Sequence, residues 1–261
     1  TVGYTKTSDK NDFNYKYLSS YFSALISFDN QKNNKALEFF ESSKYLKKKH
    51  NNYLKEYVYS LVLDGQIKKA VNQIKSSRNT KNSNFFEGKL LIVLDLMNKK
   101  KYVQASKIIK TFNLSNENTY EFIIFKTLES FNNLFKNKKL QYSTSNFGKL
   151  SLIVNAFQSC YLNSNKTDSH FLNLINSAEG DYSRYLFFYL SNVIENKDYK
   201  TAKQISKTIE PFSSTLLISQ SKKWIDNKNY KKFNKHFSCQ NENDLLSEFF
   251  FLISNLYSSQ Y

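Results

Sequence analysis

The chain has 261 residues, with 38 Lys and Arg against 22 Asp and Glu, yet only 5 Gly and one Pro. So few helix breakers exclude a turn-dense, strand-rich fold and point to a mostly helical chain. The formal charge of +16 would suit nucleic acid or an anionic surface, but only Arg78 and Arg184 carry the guanidinium fork on which phosphate and base recognition leans, so the charge reads as the lysine bias of an AT-rich genome spread over solvated helix faces.

Residues 1–12 are polar and lack helical periodicity, and we read them as a loose lead-in. Long and short helical segments then alternate through residues 13–261, joined by short Asn, Lys, Asp and Ser links. The units lie near 13–48, 51–78, 83–113, 117–147, 148–179, 181–211 and 214–238, and an incomplete one near 243–261. In the first, an apolar stretch from Phe13 to Phe28 precedes Ala36, Leu37, Phe39, Phe40 and Tyr45. The second is the clearest. Leu54, Tyr57, Val58 and Leu61 follow i, i+3, i+4, i+7 spacing, the apolar face of a helix. Asp64-Gly65-Gln66 ends that helix, and Ile67, Ala70, Val71 and Ile74 form the stripe of a return helix. So short a turn predicts antiparallel packing, with Ala70 where the backbones come closest. The third unit repeats the plan around Ala105, so that Ala36, Ala70 and Ala105 recur every 34 or 35 residues. Tyr120 to Phe135 predicts a strong helix whose partner, near Leu140 to Phe147, is Ser-rich and degenerate. Later pairs follow at 150–162 with 169–178, at 182–194 with 199–209 before Pro211, and at 216–225 with 230–237. Asp244 to Tyr257 is a last helix without a partner, and we expect further units beyond it.

These residues resemble the tetratricopeptide repeat, a 34-residue helical pair with a small residue at position eight, alanine at position twenty and a large apolar residue at position twenty-four. Ala70 aligns with Leu54, Tyr57, Val58, Leu61 and Ile74 in the expected frame. Ala105 aligns with Ile92, Val93, Leu96, Tyr102 and Ile109, and Ala202 with Leu186, Tyr189, Leu190, Val193 and Tyr199. The match covers residues 13–113 and 181–210. It departs at Val58, Val93 and Leu190, which are large for position eight, at Ser206, and at Phe233 in the alanine position. The resemblance implies an all-α fold: an α-solenoid of about seven antiparallel helix pairs plus one unpaired C-terminal helix, wound into a right-handed superhelix. It also implies a bacterial scaffold whose first helices line a concave groove. The inward positions would be Asn52, Lys55, Tyr59 and Val62 in the second unit, Glu87, Leu90, Leu94 and Met97 in the third, and Arg184, Phe187, Ser191 and Ile194 in the sixth. Apolar anchors mixed with polar groups suit a peptide or helix in a groove.

Chemistry is harder to find. His50, His170 and His236 fall in different units, and His236 with Cys239 is one pair where zinc needs three or four ligands. There is no Gly-rich phosphate loop and no GxSxG elbow. We therefore expect no catalytic residues, no metal and no cofactor. Cys160 and Cys239 could pair in an oxidising compartment, but they are far apart and neither sits in a CxxC, so we read them as ordinary buried thiols. Trp224 shares a stripe with Leu217 and reads as core. No apolar run reaches the roughly 18 residues of a membrane helix.

The reading that follows is a noncatalytic scaffold binding a protein or peptide partner. Its rivals are a basic helical repeat that binds nucleic acid or another polyanion, through interleaved Lys and aromatic residues, and a helical accessory region of a larger enzyme. Thr1-Val2-Gly3 carries no initiator Met, so we expect a removed upstream segment and, with the resemblance, a periplasmic or otherwise exported protein.

Overall fold

The computed structural model describes residues 15–50, 52–77, 84–112, 119–141, 147–176, 183–209 and 216–258. The expected lead-in, Arg78 and Pro211 lie outside them. All regular structure among the described residues is helical, and no strand occurs. The chain divides into two compact units, Thr1–Lys99 and Lys100–Tyr261. The division falls within the third sequence unit.

The first structural unit holds α1 (Tyr15–Asp29), α2 (Asn33–Ser42), a 3-10 helix (Lys44–Lys48), α3 (Tyr53–Leu63), α4 (Ile67–Ser76) and α5 (Phe86–Asn98). Helix α1 packs on α2, α2 on α3, α3 on α4 and α4 on α5. Tyr45, expected on the apolar stripe after Ala36, lies instead in the 3-10 helix, exposed and stacked on Tyr17 at 5.2 Å. At the centre Phe40 meets Tyr53 and Tyr57, each with ring centroids 5.7 Å away, and Tyr21 meets Tyr53 at 5.7 Å. Such tilted and edge-on pairs add about 0.5–1.5 kcal/mol each beyond the area they bury. The phenols find partners: Tyr53 donates to the Phe40 carbonyl and Tyr57 to Glu41. Asn33 and Ser60 exchange two hydrogen bonds, of 2.9 and 2.6 Å, tying the start of α2 to α3.

The second unit holds α6 (Tyr102–Ile109), α7 (Tyr120–Asn137), α8 (Lys149–Tyr161), α9 (Thr167–Ile175), α10 (Ser183–Glu195), α11 (Tyr199–Lys207), α12 (Leu216–Asp226), a 3-10 helix (Tyr230–Lys235) and α13 (Glu242–Ser258). Four features differ from the expectations. The partner of α7 near Leu140 is not helical at residues 138–141 or 147, and residues 142–146 lie outside the described set. In its place the buried Gln158 side chain accepts from the Gln141 amide at 2.8 Å and donates to the Gln141 carbonyl at 3.0 Å. A side chain thus satisfies backbone groups that a helix would have paired. The element at Tyr230 is a 3-10 helix rather than an α-helix; Phe233, in the alanine position, is fully buried and stacks on Phe187 at 5.6 Å. Finally, Cys160 and Cys239 are not free thiols but a disulfide, with Cα atoms 5.6 Å apart. It joins the last turn of α8 to the loop before α13. Trp224 is half-buried rather than core, stacked on exposed His236 at 5.5 Å.

One turn geometry recurs in the backbone. Gln31, Gly65, Asn163, Lys197 and Lys228 each have positive φ just after a helix. In each case the next amide reaches back five residues: Lys32 to Ser27 at 2.8 Å, Gln66 to Leu61 at 2.8 Å, Ser164 to Ser159 at 2.9 Å, Asp198 to Val193 at 3.0 Å and Asn229 to Trp224 at 2.7 Å. This is the Schellman closure, five times over. Four helices that follow such positive-φ turns then start alike. The amides of Ala36, Ala70, Ala105 and Ala202 donate to the carbonyls of Lys32, Gln66, Lys101 and Asp198 at 3.0 to 3.1 Å, and all four alanines are 0% exposed. Only Gly65 adopts the left-handed conformation without cost; a side chain there costs roughly 1–2 kcal/mol, partly offset by the entropy that glycine loses. Lys197→Gly and Lys228→Gly should therefore each raise stability by about 0.5–1 kcal/mol, and Gly65→Ala should lower it by about 1 kcal/mol. Urea unfolding of the three variants checks this, and lysine-to-glycine changes that destabilise would contradict the turn assignment.

Candidate interaction site

All eight groove residues expected in the second and third sequence units fall on α3 and α5 or just before α3, within the first structural unit. Helix α3 buries Tyr53, Leu54, Tyr57, Val58 and Leu61, which turns Lys55 and Tyr59 to its other side. Helix α5 buries Gly88, Ile92, Val93 and Leu96, leaving Glu87 and Leu90 half-exposed. The two sets meet. Tyr59 donates its hydroxyl to Glu87, Lys55 pairs with Glu87 at 3.4 Å, and the Lys55 ammonium stands 5.4 Å from the centre of the Tyr59 ring. The Lys55 and Glu87 side chains keep 38% and 41% of their surface in solvent. Asn52, just before α3, is exposed and makes no capping bond. Met97, by contrast, is buried.

The electrostatics follow from this contact. Burial pushes the Glu87 carboxyl up, but donation by Tyr59, its own backbone amide and Lys55 outweighs burial and holds it below its ordinary range. Tyr59 is pushed up, first by burial and then by its bond to Glu87. The face is thus an ammonium, a carboxylate and a neutral phenol flanking half-buried Leu90. It offers donors, an acceptor and apolar area, and no nucleophile beside a base.

In the second unit the expected residues are used differently. Phe187 and Ser191 are buried: Phe187 stacks on Phe233, and Ser191 donates to the Phe237 carbonyl at 2.8 Å. Ile194 is buried too. Arg184 makes a bidentate pair with Glu248 of α13, at 2.7 and 2.6 Å, and its guanidinium lies 4.5 Å from the Phe251 ring. The side of α10 expected to line a groove is therefore covered by the chain itself, through α13 and the segment after the second 3-10 helix. Helix α13 is anchored elsewhere by Phe249 against Phe131 of α7 at 6.2 Å, and by Glu242, which accepts from Tyr102, from Tyr161 at 2.6 Å and from Lys138 at 3.3 Å. Burial raises the Glu242 carboxyl, and those three donors lower it further than burial raises it.

One constellation was not anticipated from the residues. Ser159 on α8 lies 2.7 Å from Nδ1 of His170 on α9. Spacing along the chain carries no mark of it. Ser159 is wholly buried, so no substrate reaches its hydroxyl and the pair joins two helices. His236 has no thiolate beside it, since Cys239 is disulfide-bonded. Among the described residues no group of three His, Cys, Asp or Glu side chains could hold a metal ion, and no helix is long and apolar enough to cross a membrane.

Compared with known proteins, the chain matches no family model, no curated protein and no solved structure.

Proposed function

We propose that this protein is a noncatalytic interaction scaffold whose helices stack as antiparallel, tetratricopeptide-like pairs within each unit, and that the α3–α5 face takes a peptide or helix from a protein partner. The observation that carries this reading is the convergence of Lys55, Tyr59 and Glu87 on one half-exposed face beside Leu90. Helix-in-groove recognition needs an apolar strip flanked by a few polar groups, and α13 in the second unit is an intramolecular case: a helix seated through the Arg184–Glu248 and Lys138–Glu242 pairs and through Phe249 and Phe251. The Cys160–Cys239 disulfide supports an oxidising compartment, in keeping with export.

The test is affinity capture with the intact chain and with Lys55→Glu combined with Tyr59→Ala. These residues lie outside the buried core, so the double variant should keep its melting transition while losing its partners. Identical partners for both proteins would remove the α3–α5 face from the account.

A further inference from the structure

The charge of this chain is not evenly spread. Residues 196–237 contain ten Lys and no Arg against three acidic residues, while the remainder of the chain has 28 basic and 19 acidic residues. In that stretch Lys197, Lys200, Lys203, Lys207, Lys223, Lys228, Lys231, Lys232 and Lys235 are exposed, and none forms an ion pair with a described carboxylate. Of the local acids, Asp198 already caps α11 by accepting from the Thr201 amide at 3.0 Å. Two ring stacks bind the elements into one surface. Tyr199 at the start of α11 lies on Tyr230 of the second 3-10 helix at 4.2 Å, and Trp224 of α12 lies on His236 at 5.5 Å, with the Lys232 ammonium 5.8 Å from the indole. Some lysines elsewhere are neutralised: Lys69 by Glu41 at 2.8 Å, Lys75 by Asp95 at 2.9 Å and Lys138 by Glu242 at 3.3 Å. The basic excess is therefore concentrated in this stretch, ten Lys against three acidic residues, rather than shared evenly along the chain.

We propose that the surface of α11, α12 and the second 3-10 helix is a docking site for an acidic helical segment of a partner protein. Charge complementarity sets the sign of the partner, and periodicity sets its form. Lys200, Lys203 and Lys207 stand at i, i+3 and i+7, one stripe along α11 spanning about 10 Å at 1.5 Å per residue. A helix bearing Glu at the same spacing presents carboxylates at the same interval. A nucleic acid fits less well. Its phosphates and bases are best held by the bidentate guanidinium fork, which this surface lacks, and each aromatic ring here has one face taken by another ring. The site uses none of the α3–α5 residues, so it stands or falls apart from that face.

The experiment measures fluorescence anisotropy with the oxidised full chain and two labelled probes of equal charge, a Glu-rich helical peptide and an oligothymidylate. Binding of the peptide should weaken from about 50 mM to about 200 mM salt, as expected of charge pairing. Lys200→Glu, Lys203→Glu and Lys207→Glu together should weaken it about tenfold or more, and the matching Lys→Gln set should do so to a smaller extent. A control with Lys35→Glu, Lys48→Glu and Lys68→Glu, which changes net charge equally on exposed positions of the first unit, should leave it within about twofold. Unchanged melting of the Gln set excludes a folding effect. Equal losses in the α11 and control sets, no peptide binding at low salt, or tighter binding of the oligothymidylate through the same lysines would each overturn the proposal.

Discussion

Reducing the Cys160–Cys239 disulfide should lower the stability of the second unit by about 4 kcal/mol without changing its helix content. The two residues are 79 apart in sequence, and cross-linking so long a loop removes about 4 kcal/mol of chain entropy from the unfolded ensemble. The native side loses little. Both sulfurs are buried, and reduction leaves two thiols in the same volume. The loop before α13 keeps its other ties: the Gln240 side chain donates to the Cys160 carbonyl at 3.1 Å and to Asn163 at 3.2 Å, and Glu242 keeps its three donors. The effect should therefore appear as a lower urea midpoint for the reduced chain, with the far-ultraviolet spectrum unchanged in the absence of urea. Coincident unfolding curves for oxidised and reduced protein would show that the cross-link does no such work. A spectrum that collapses on reduction alone would show instead that the bond holds the native packing together.

That bond also marks where reading the residues in order stops being informative. The alanines at positions 36, 70, 105 and 202 were legible because close helix packing excludes a larger side chain, and each is fully buried. The apolar stripes of α3, α4 and α10 were legible for the same reason of periodicity. Turn geometry was legible at Gly65 alone. Gln31, Lys100, Lys197 and Lys228 adopt the same left-handed conformation without any residue type that announces it. The disulfide was not legible because proximity across 79 residues is a property of the fold, and neither cysteine has a neighbour that marks it. The groove frame falls on half-exposed positions at Lys55, Tyr59, Glu87 and Leu90. It did not carry over to Phe187 and Ser191, because the 3-10 helix and Phe237 pack over that side of α10. A repeat frame gives the direction in which a side chain leaves its helix. What else the chain lays on that side is a long-range fact.

Arg184 shows the consequence most sharply, and its removal should cost about 3 kcal/mol. Glu248 is only 3% exposed in its side chain, and its two oxygens are both engaged by the guanidinium. Arg184→Met leaves that carboxylate buried without its partner, and breaking a buried pair from one side costs about 3–5 kcal/mol. The Arg184 side chain is itself 44% exposed, so water screens part of the interaction and the lower end of that range applies. Adding Glu248→Leu to Arg184→Met should recover most of the loss, bringing the double variant within about 1 kcal/mol of the parent, because a buried ion pair and an apolar pair of similar volume are often nearly equivalent. Thermal and urea unfolding of the two single variants and the double variant measure the cycle. If the double variant is as unstable as Arg184→Met, the pair does not act as a unit and α13 is held chiefly by Phe249 on Phe131. If Arg184→Met costs nothing, Glu248 is solvated in a way its burial does not suggest, and Arg184 becomes available to a partner after all.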